Sequence, residues 1–270
     1  MKKYLSLILA FMLALTMLVS CVDKTTASLS SAIRKSKLVT EYDQNTSIDE
    51  MDTVTFGTYP KDDISGETKD AIEWIVLEKD TANKKALLLS KYLLDSQRYN
   101  SEEADVSWEE CSLRKWLNDT FYNKAFNEDE KNVIITSRVS NTAAFMEVEG
   151  EDFATMDKVF LLSVDEVRKY FGEGVEDVDG EGYQLGRNVA TKGTNYAKMT
   201  DLNEHQLWVD EEEEEESLWA NGNSTYWLRT AGANLKLVAF VFSDGFVNTF
   251  GNYVEAIGGG VRPAIWVNYK

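Results

Sequence analysis

The run Gly258-Gly259-Gly260-Val261-Arg262-Pro263-Ala264-Ile265-Trp266-Val267 stands three residues from the end of the chain. Its second half is apolar and has the texture of a strand. Its first half is a glycine triplet that leads to a full positive charge, Arg262, and then to Pro263. Proline has no amide hydrogen and fits a strand start or an edge position. Upstream lie Tyr226-Trp227-Leu228-Arg229, the run from Leu237 to Phe242, and the run from Phe246 to Phe250, all rich in β-branched and aromatic residues. Ser243-Asp244-Gly245 between the last two is a hairpin signal, because Asp-Gly tolerates positive φ. The last third of the chain therefore predicts a strand meander that closes on a core strand with an arginine at its mouth.

Working back, Thr53 to Tyr59, Ile72 to Leu77 and Ala86 to Leu89 read as strands, the last two joined by the polar stretch 79–85. Ser107 and Glu110 have capping-box spacing ahead of Leu113, Trp116, Leu117 and Phe121, which fall on one helical face. Asn127 opens a second short helix with Glu128, Asp129 and Glu130 at its positive end. Val159 to Leu162 reads as a strand, Ser163 and Glu166 as another capping box, and Gly172 as the end of that helix. Residues 173–225 are polar and glycine-dotted with no clear element, which points to functional loops or disorder. The acidic run 210–216 is most simply a solvated, self-repelling loop. The pattern is α+β, with central helices, strands at both ends and one domain over 52–270.

Lys2 and Lys3 precede an apolar stretch that ends near Val19, the pattern of a signal peptide over 1–20. Leu18-Val19-Ser20-Cys21 resembles the bacterial lipobox, which implies acylation of Cys21 and a membrane-anchored mature protein. Two or more acyl chains anchor stably where one does not. Residues 21–51, rich in Ser, Thr, Lys and Asp, read as a flexible tether. The chain carries a net charge of −18, which repels nucleic acid and excludes that class of partner. Cys111 has no second cysteine to pair with once Cys21 is acylated, so no disulfide is expected and a small buried side chain is the reading for it.

Several blocks resemble an uncharacterised domain family of bacterial surface lipoproteins: 56–60, 72–80, 86–95, 112–126, 157–171, 226–232 and 258–267. The last two are also similar to the end of the C-type-lectin-like fold, as in formylglycine-generating enzymes and retroelement-diversified variable receptors. That resemblance implies adjacent N- and C-terminal strands, with Arg262 and Arg229 as structural ties to loop carbonyls rather than ligand contacts, and with Trp227 and Trp266 in supporting positions. A guanidinium suits such a tie, with five donors in a fixed fork.

Little chemistry stands out. His205 is the only histidine, so no metal centre built on several imidazoles exists, and no nucleophile elbow accompanies it. The late cysteine pair of formylglycine-generating enzymes is absent, and that activity does not carry over. The acidic stretch 176–180 does not fit helix-loop-helix calcium spacing, since Val175 and Gly186 would occupy ligand positions. A weak calcium site is left open; no metal and no cofactor are assigned. Trp219, Asn248, Phe250, Asn252 and Tyr253 are the candidate ligand-binding residues, because aromatic faces interleaved with amides suit recognition. The expectation is a binding module for a glycan, peptide or surface protein, held at the outer face of the cytoplasmic membrane. An envelope enzyme using carboxylates within 173–225 and a structural envelope protein without a specific ligand are the alternatives.

Overall fold

The computed structural model describes residues 27–141, 154–176, 179–185, 189–205 and 223–269, with backbone only over 202–205. The signal-peptide segment, Cys21, Trp219 and the acidic run 210–216 lie outside the described residues. In chain order the strands are β1 Val54–Tyr59, β2 Asp70–Asp80, β3 Lys85–Ser90, β4 Asp95–Ser96, β5 Ser137–Val139, β6 Thr155–Asp157, β7 Val175–Glu176, β8 Gly182–Gln184, β9 Tyr226–Ala231, β10 Leu237–Val241, β11 Phe246–Tyr253, β12 Gly260–Val261 and β13 Ala264–Asn268. Helix α1 covers 27–35. Helix α2 joins the segments Ser112–Trp116, Leu117–Phe121 and Tyr122–Ala125, the middle one wound as a π turn. Helices α3 Glu128–Lys131, α4 Val164–Phe171 and α5 Asn195–His205 follow.

The strands form a four-stranded sheet in the order β1-β2-β3-β13, a seven-stranded sheet in the order β4-β12-β9-β10-β11-β8-β7, and the β5-β6 pair. The α+β expectation holds. The run 261–267, read as one strand, is two. Val261 ends β12 in the larger sheet and Ala264 begins β13 in the smaller one, so Arg262 and Pro263 are the crossing. The antiparallel partner makes the same crossing between Ser90, the end of β3, and Asp95, the start of β4. One two-stranded ribbon thus passes through both sheets and ties them together. Its register is kept through the bend, since the Ser90 amide donates to the Pro263 carbonyl at 2.9 Å and the Leu94 amide to the Val261 carbonyl at 3.0 Å.

The first and last strands of the chain are not adjacent. β1 and β13 are the opposite edges of the smaller sheet, and β13 pairs with β3 from Ala264↔Leu89 to Asn268↔Lys85. The outer edge of β13 is covered by loop segments: the Ile135 amide donates to the Trp266 carbonyl at 2.8 Å, and Phe160 exchanges bonds with Ala264. Residues 159–162, expected as a strand, are extended but make only that one bridge. The Asn118 side chain donates to the Val159 carbonyl, and Arg229 takes the last two, its backbone amide donating to the Leu162 carbonyl and its guanidinium to the Leu161 carbonyl.

Two helix starts differ from expectation. Ser107 closes only a turn, accepting from Glu110 and Cys111 through its backbone carbonyl, and α2 begins at Ser112 with Cys111 as its cap. Within that turn the Trp108 indole is buried and donates to Asp157 at 2.9 Å. Ser163 and Glu166 do form a reciprocal capping box at α4, with Gly172 at φ +107° ending it. Within 173–225, read as lacking elements, α5 forms with the Thr194 hydroxyl accepting from the Ala197 amide at 3.0 Å.

The tether expectation fails for residues 27–51. Leu29 and Ile33 on α1, and Val39, Ile48 and Met51 after it, are all buried in the main core. Leu38 adds a parallel bridge to Val76 of β2, and the Lys79 ammonium donates to the Ser36 carbonyl. Polar residues outnumber apolar ones by 16 to 9 over 27–51, so composition hides the apolar face that helix spacing exposes. Ile33 is 0% exposed, so Ile33→Ala is expected to cost about 2–5 kcal/mol in a urea unfolding measurement. An unchanged midpoint would restore the tether.

Candidate functional site

Asp244 and Gly245 build the hairpin from which the expected recognition surface hangs. The Phe246 amide donates to the Asp244 carboxylate at 2.9 Å, and Gly245 takes φ +92°. β10 and β11 then pair in the register Val241↔Val247 and Phe240↔Asn248. Past Asn248 a bulge interrupts them: Gly251 turns to φ +100°, and the Asn248 side-chain oxygen accepts its amide at 2.7 Å. Pairing resumes at Val238↔Asn252 and Leu237↔Tyr253.

Register decides which candidates meet. Cross-strand partners share a face, so Asn248 and Asn252 lie on the face of Phe240 and Val238, while Tyr253 lies on the opposite face with Leu237. Phe250 sits in the bulge, its carbonyl accepting from the Ala233 amide at 2.7 Å. Phe250 and Tyr253 are 48% and 57% exposed. The candidates drawn from sequence are therefore divided between two faces and a bulge.

What composition did not single out is a row of rings on the Asn248 face. It begins in the core at Trp108 and passes through Tyr99, Trp227 and Phe240 to Phe242 and Phe246, with successive centroids 4.6–6.5 Å apart. Edge-to-face and tilted geometries dominate, as the ring quadrupoles favour. Phe242, at 40% exposed, brings the row to solvent. The inner rings are fixed: the Trp227 indole donates to the Gln97 carbonyl at 2.8 Å. Gly259 lies against that indole so closely that a Cβ there would fall 1.7 Å from Nε1. The glycine triplet is thus partly a seat for Trp227. The sequence signal was the even spacing of Phe240, Phe242, Phe246 and Asn248 across the Asp-Gly turn.

The two arginines stand under this surface. Arg262, 1% exposed, donates through Nε to the Ser90 carbonyl at 3.1 Å and through Nη1 to the Val189 carbonyl at 2.8 Å and the Tyr226 hydroxyl at 3.1 Å. Its other terminal nitrogen has no partner among the described residues. Burial lowers the Arg262 pKa and raises that of Tyr226. Arg229 donates to the Ser140 and Leu161 carbonyls and to the Asn141 side chain, and pairs with Glu166. Trp266 is half-buried on β13 with the Lys85 ammonium 4.8 Å from its ring centre. Arg262→Lys removes the fork and strands the Ser90 carbonyl, while the Val189 carbonyl keeps the Tyr226 hydroxyl as its donor at 2.9 Å, so a loss of about 2–4 kcal/mol is expected in urea unfolding at neutral pH.

A second polar centre joins β4, α5 and the end of β1. Asp95, 2% exposed, accepts from the Tyr59 hydroxyl at 2.6 Å, the Ser96 amide at 2.9 Å and the Gln97 amide group at 3.0 Å. The Ser96 hydroxyl donates to Asp201, itself buried, at 3.2 Å. Burial raises the Asp95 pKa against the opposing effect of its donors and of Lys124. Both Asp95 oxygens are already held by internal donors in a closed core, so this centre fastens α5 to the ribbon rather than offering an open acid–base pair. No group of three metal-binding side chains occurs among the described residues.

These contacts fit the comparison with protein families. A family model described as a domain of unknown function, DUF6273, matches residues 83–269. The chain belongs to the DUF6273 family. No curated protein and no solved structure gave a match. The DUF6273 stretch opens just before β3 and closes just after β13, and those two strands pair directly; α1, β1 and β2 precede it. Asp95, Arg229, Trp227, Gly259 and Arg262 all fall inside it.

The raised Asp95 pKa sets a pH dependence. The folded chain keeps this proton over a window where the unfolded chain, titrating near 4, has released it. Asp95 therefore supports the fold most at the acid end, and that support declines as pH rises through the folded value. As pH rises from about 4 through the folded value, the urea midpoint of wild type should fall relative to that of Asp95→Asn, whose side chain does not titrate; a wild type that gains on the variant with pH contradicts the assignment.

Proposed function

We propose that this chain is a lipid-anchored ligand-binding module of the bacterial cell surface, built on a C-type-lectin-like domain and held at the outer face of the cytoplasmic membrane. The observation that carries the recognition reading is the aromatic row ending at Phe242 and Phe246, flanked by the amides of Asn248 and Asn252. Rigid rings supply contact area at little entropic cost, and side-chain amides adapt their hydrogen bonds to the ligand. The lectin-like reading is supported by the direct pairing of β3 with β13 at the two ends of the DUF6273 stretch and by the buried Arg262 at its closure. The anchoring reading is supported by the lipobox resemblance at Leu18-Val19-Ser20-Cys21. No helix among the described residues is long and apolar enough to cross a membrane.

The ligand is a glycan, a peptide or a surface protein. Its contact is to the Phe242 face of the hairpin rather than to Tyr253, because only that face continues into a fixed stack of rings. Glycan and peptide arrays probed with unacylated 22–270 chain test this. Phe242→Ala and Asn252→Ala are each expected to weaken the leading hit by about 30-fold, the size of an interface hot spot, while Tyr253→Ala leaves it within about threefold. Loss at Tyr253 alone places the site on the opposite face, and an array without specific hits removes the recognition reading.

A further inference from the structure

The replacement of the expected tether by α1 has a consequence for how an anchored chain stands on its membrane. Six peptide steps separate Cys21 from Ala27, the first described residue of α1, and even fully extended they span only about 20 Å. A domain held that closely cannot tumble freely above the bilayer. Some face of it must lie near the headgroups, and α1, joined to the anchor, is the first element to arrive.

The charge distribution selects the face. The chain is strongly acidic, at −18, yet residues 27–40 contain Arg34, Lys35 and Lys37 and no acidic residue. The inner side of α1 is fixed by Leu29, Ser30 and Ile33 in the core, which leaves Ala27, Ser28, Ser31, Arg34 and Lys35 exposed on its outer side. Lys37 follows, exposed, and the Lys79 ammonium caps the Ser36 carbonyl at the same helix end. Acidic neighbours lie at the end of the helix, where Asp52 accepts the Lys37 amide at 3.0 Å and Glu41 the Leu38 amide at 2.6 Å, and the Lys37 ammonium stands over the Tyr42 ring, 5.3 Å from its centre. The outer side carries small and cationic residues and no large apolar one, so it suits electrostatic contact with headgroups and not insertion among acyl chains. An acidic body beside an anionic surface is repelled least where cations stand without intervening acidic residues.

Resting on the anchoring reading, we infer that the outer face of α1, with Lys35 and Lys37, is a docking surface for the anionic phospholipid headgroups of the bilayer that holds Cys21. The domain then stands on α1 in a fixed orientation.

The test separates docking from acylation. Mass spectrometry of the N-terminal peptide from bacterial membranes reports whether Cys21 is acylated, which decides the anchoring reading alone. For docking, the 21–270 chain is coupled through Cys21 to a maleimide lipid, so an anchor is present whatever the cell does. Coupling is selective because Cys111 is fully buried and its thiol is pushed up to about 11 by burial. The coupled chain is placed on phosphatidylcholine vesicles with or without phosphatidylglycerol. Acetylation of Lys37 by a water-soluble reagent is then compared with that of Lys115, exposed on α2. Lys37 is expected to react about 5-fold more slowly, relative to Lys115, only when phosphatidylglycerol is present, the scale of one cation near an anionic surface. Lys35→Glu, an exposed change that leaves the buried side of α1 intact, is expected to return Lys37 to its free rate. Equal reactivity on both vesicle types, or protection that survives Lys35→Glu, overturns the docking surface.

Discussion

The hold of Arg262 on the corner of the β3–β4/β12–β13 ribbon is the contact on which the other parts depend. Three pieces of chain that share no strand converge there: Ser90 at the end of β3, Val189 in the loop before α5, and Tyr226 at the start of β9. Ser90 and Val189 present backbone carbonyls, Tyr226 presents a hydroxyl that itself donates to the Val189 carbonyl at 2.9 Å, and a buried oxygen without a donor is costly. One guanidinium reaches all three because its donors are fixed in a plane. No carboxylate among the described residues pairs with it, unlike Arg229, which has Glu166. A buried cation without a counter-ion carries a desolvation penalty of several kcal/mol. Here it is offset by the three oxygens and by the ring faces of Tyr226 and Phe171, 5.3 and 5.8 Å from the guanidinium carbon. A hydrophobic side chain of similar volume would fill the space but leave those oxygens unmet.

Once the corner is fixed, the second sheet inherits its placement. β12 leaves the corner beside β9, and Gly259 and Gly260 bring the backbone against Trp227 and Leu93 with no room for a side chain. Trp227 is thereby locked, and through it the ring row that β10 and β11 extend to solvent. Asp95 holds the other strand of the ribbon to Tyr59 and, through Ser96, to α5. The link from sequence to surface thus runs through backbone proximity: glycines and an arginine at 258–262 decide where Phe242 stands, 16 to 20 positions earlier in the chain.

Much of this was legible in advance because it is local. The Asp244-Gly245 turn, the Ser163–Glu166 box and the β2–β3 hairpin depend on residues within a few positions of one another, and all form. The failures share a different physical origin. The split of 261–267 between two sheets is a tertiary event at Arg262-Pro263 that strand texture cannot reveal. α1 was read as tether because Leu29 and Ile33 are two apolar residues among serines, and only the presence of a receiving core makes that stripe count. The helix cap falls at Cys111 rather than Ser107, with Trp108 between them bound to the distant Asp157, a contact that local spacing does not reveal. The division of Asn252 from Tyr253 follows from the Gly251 bulge, which shifts register without altering composition.

The same bulge bears on where binding energy can concentrate. Among the described residues, Phe250 and Tyr253 have no ring neighbour, so a ligand that contacts them must first order two side chains, at about 0.5–1.5 kcal/mol each. A ligand at the proposed site would meet Phe242 and Phe246 wedged against Phe240 and, behind it, an indole that a glycine and a carbonyl hold still. Equal exposed area on the two faces therefore does not mean equal affinity. The face backed by the stack loses less entropy on binding, and the residues that make it so are the ones that also close the fold.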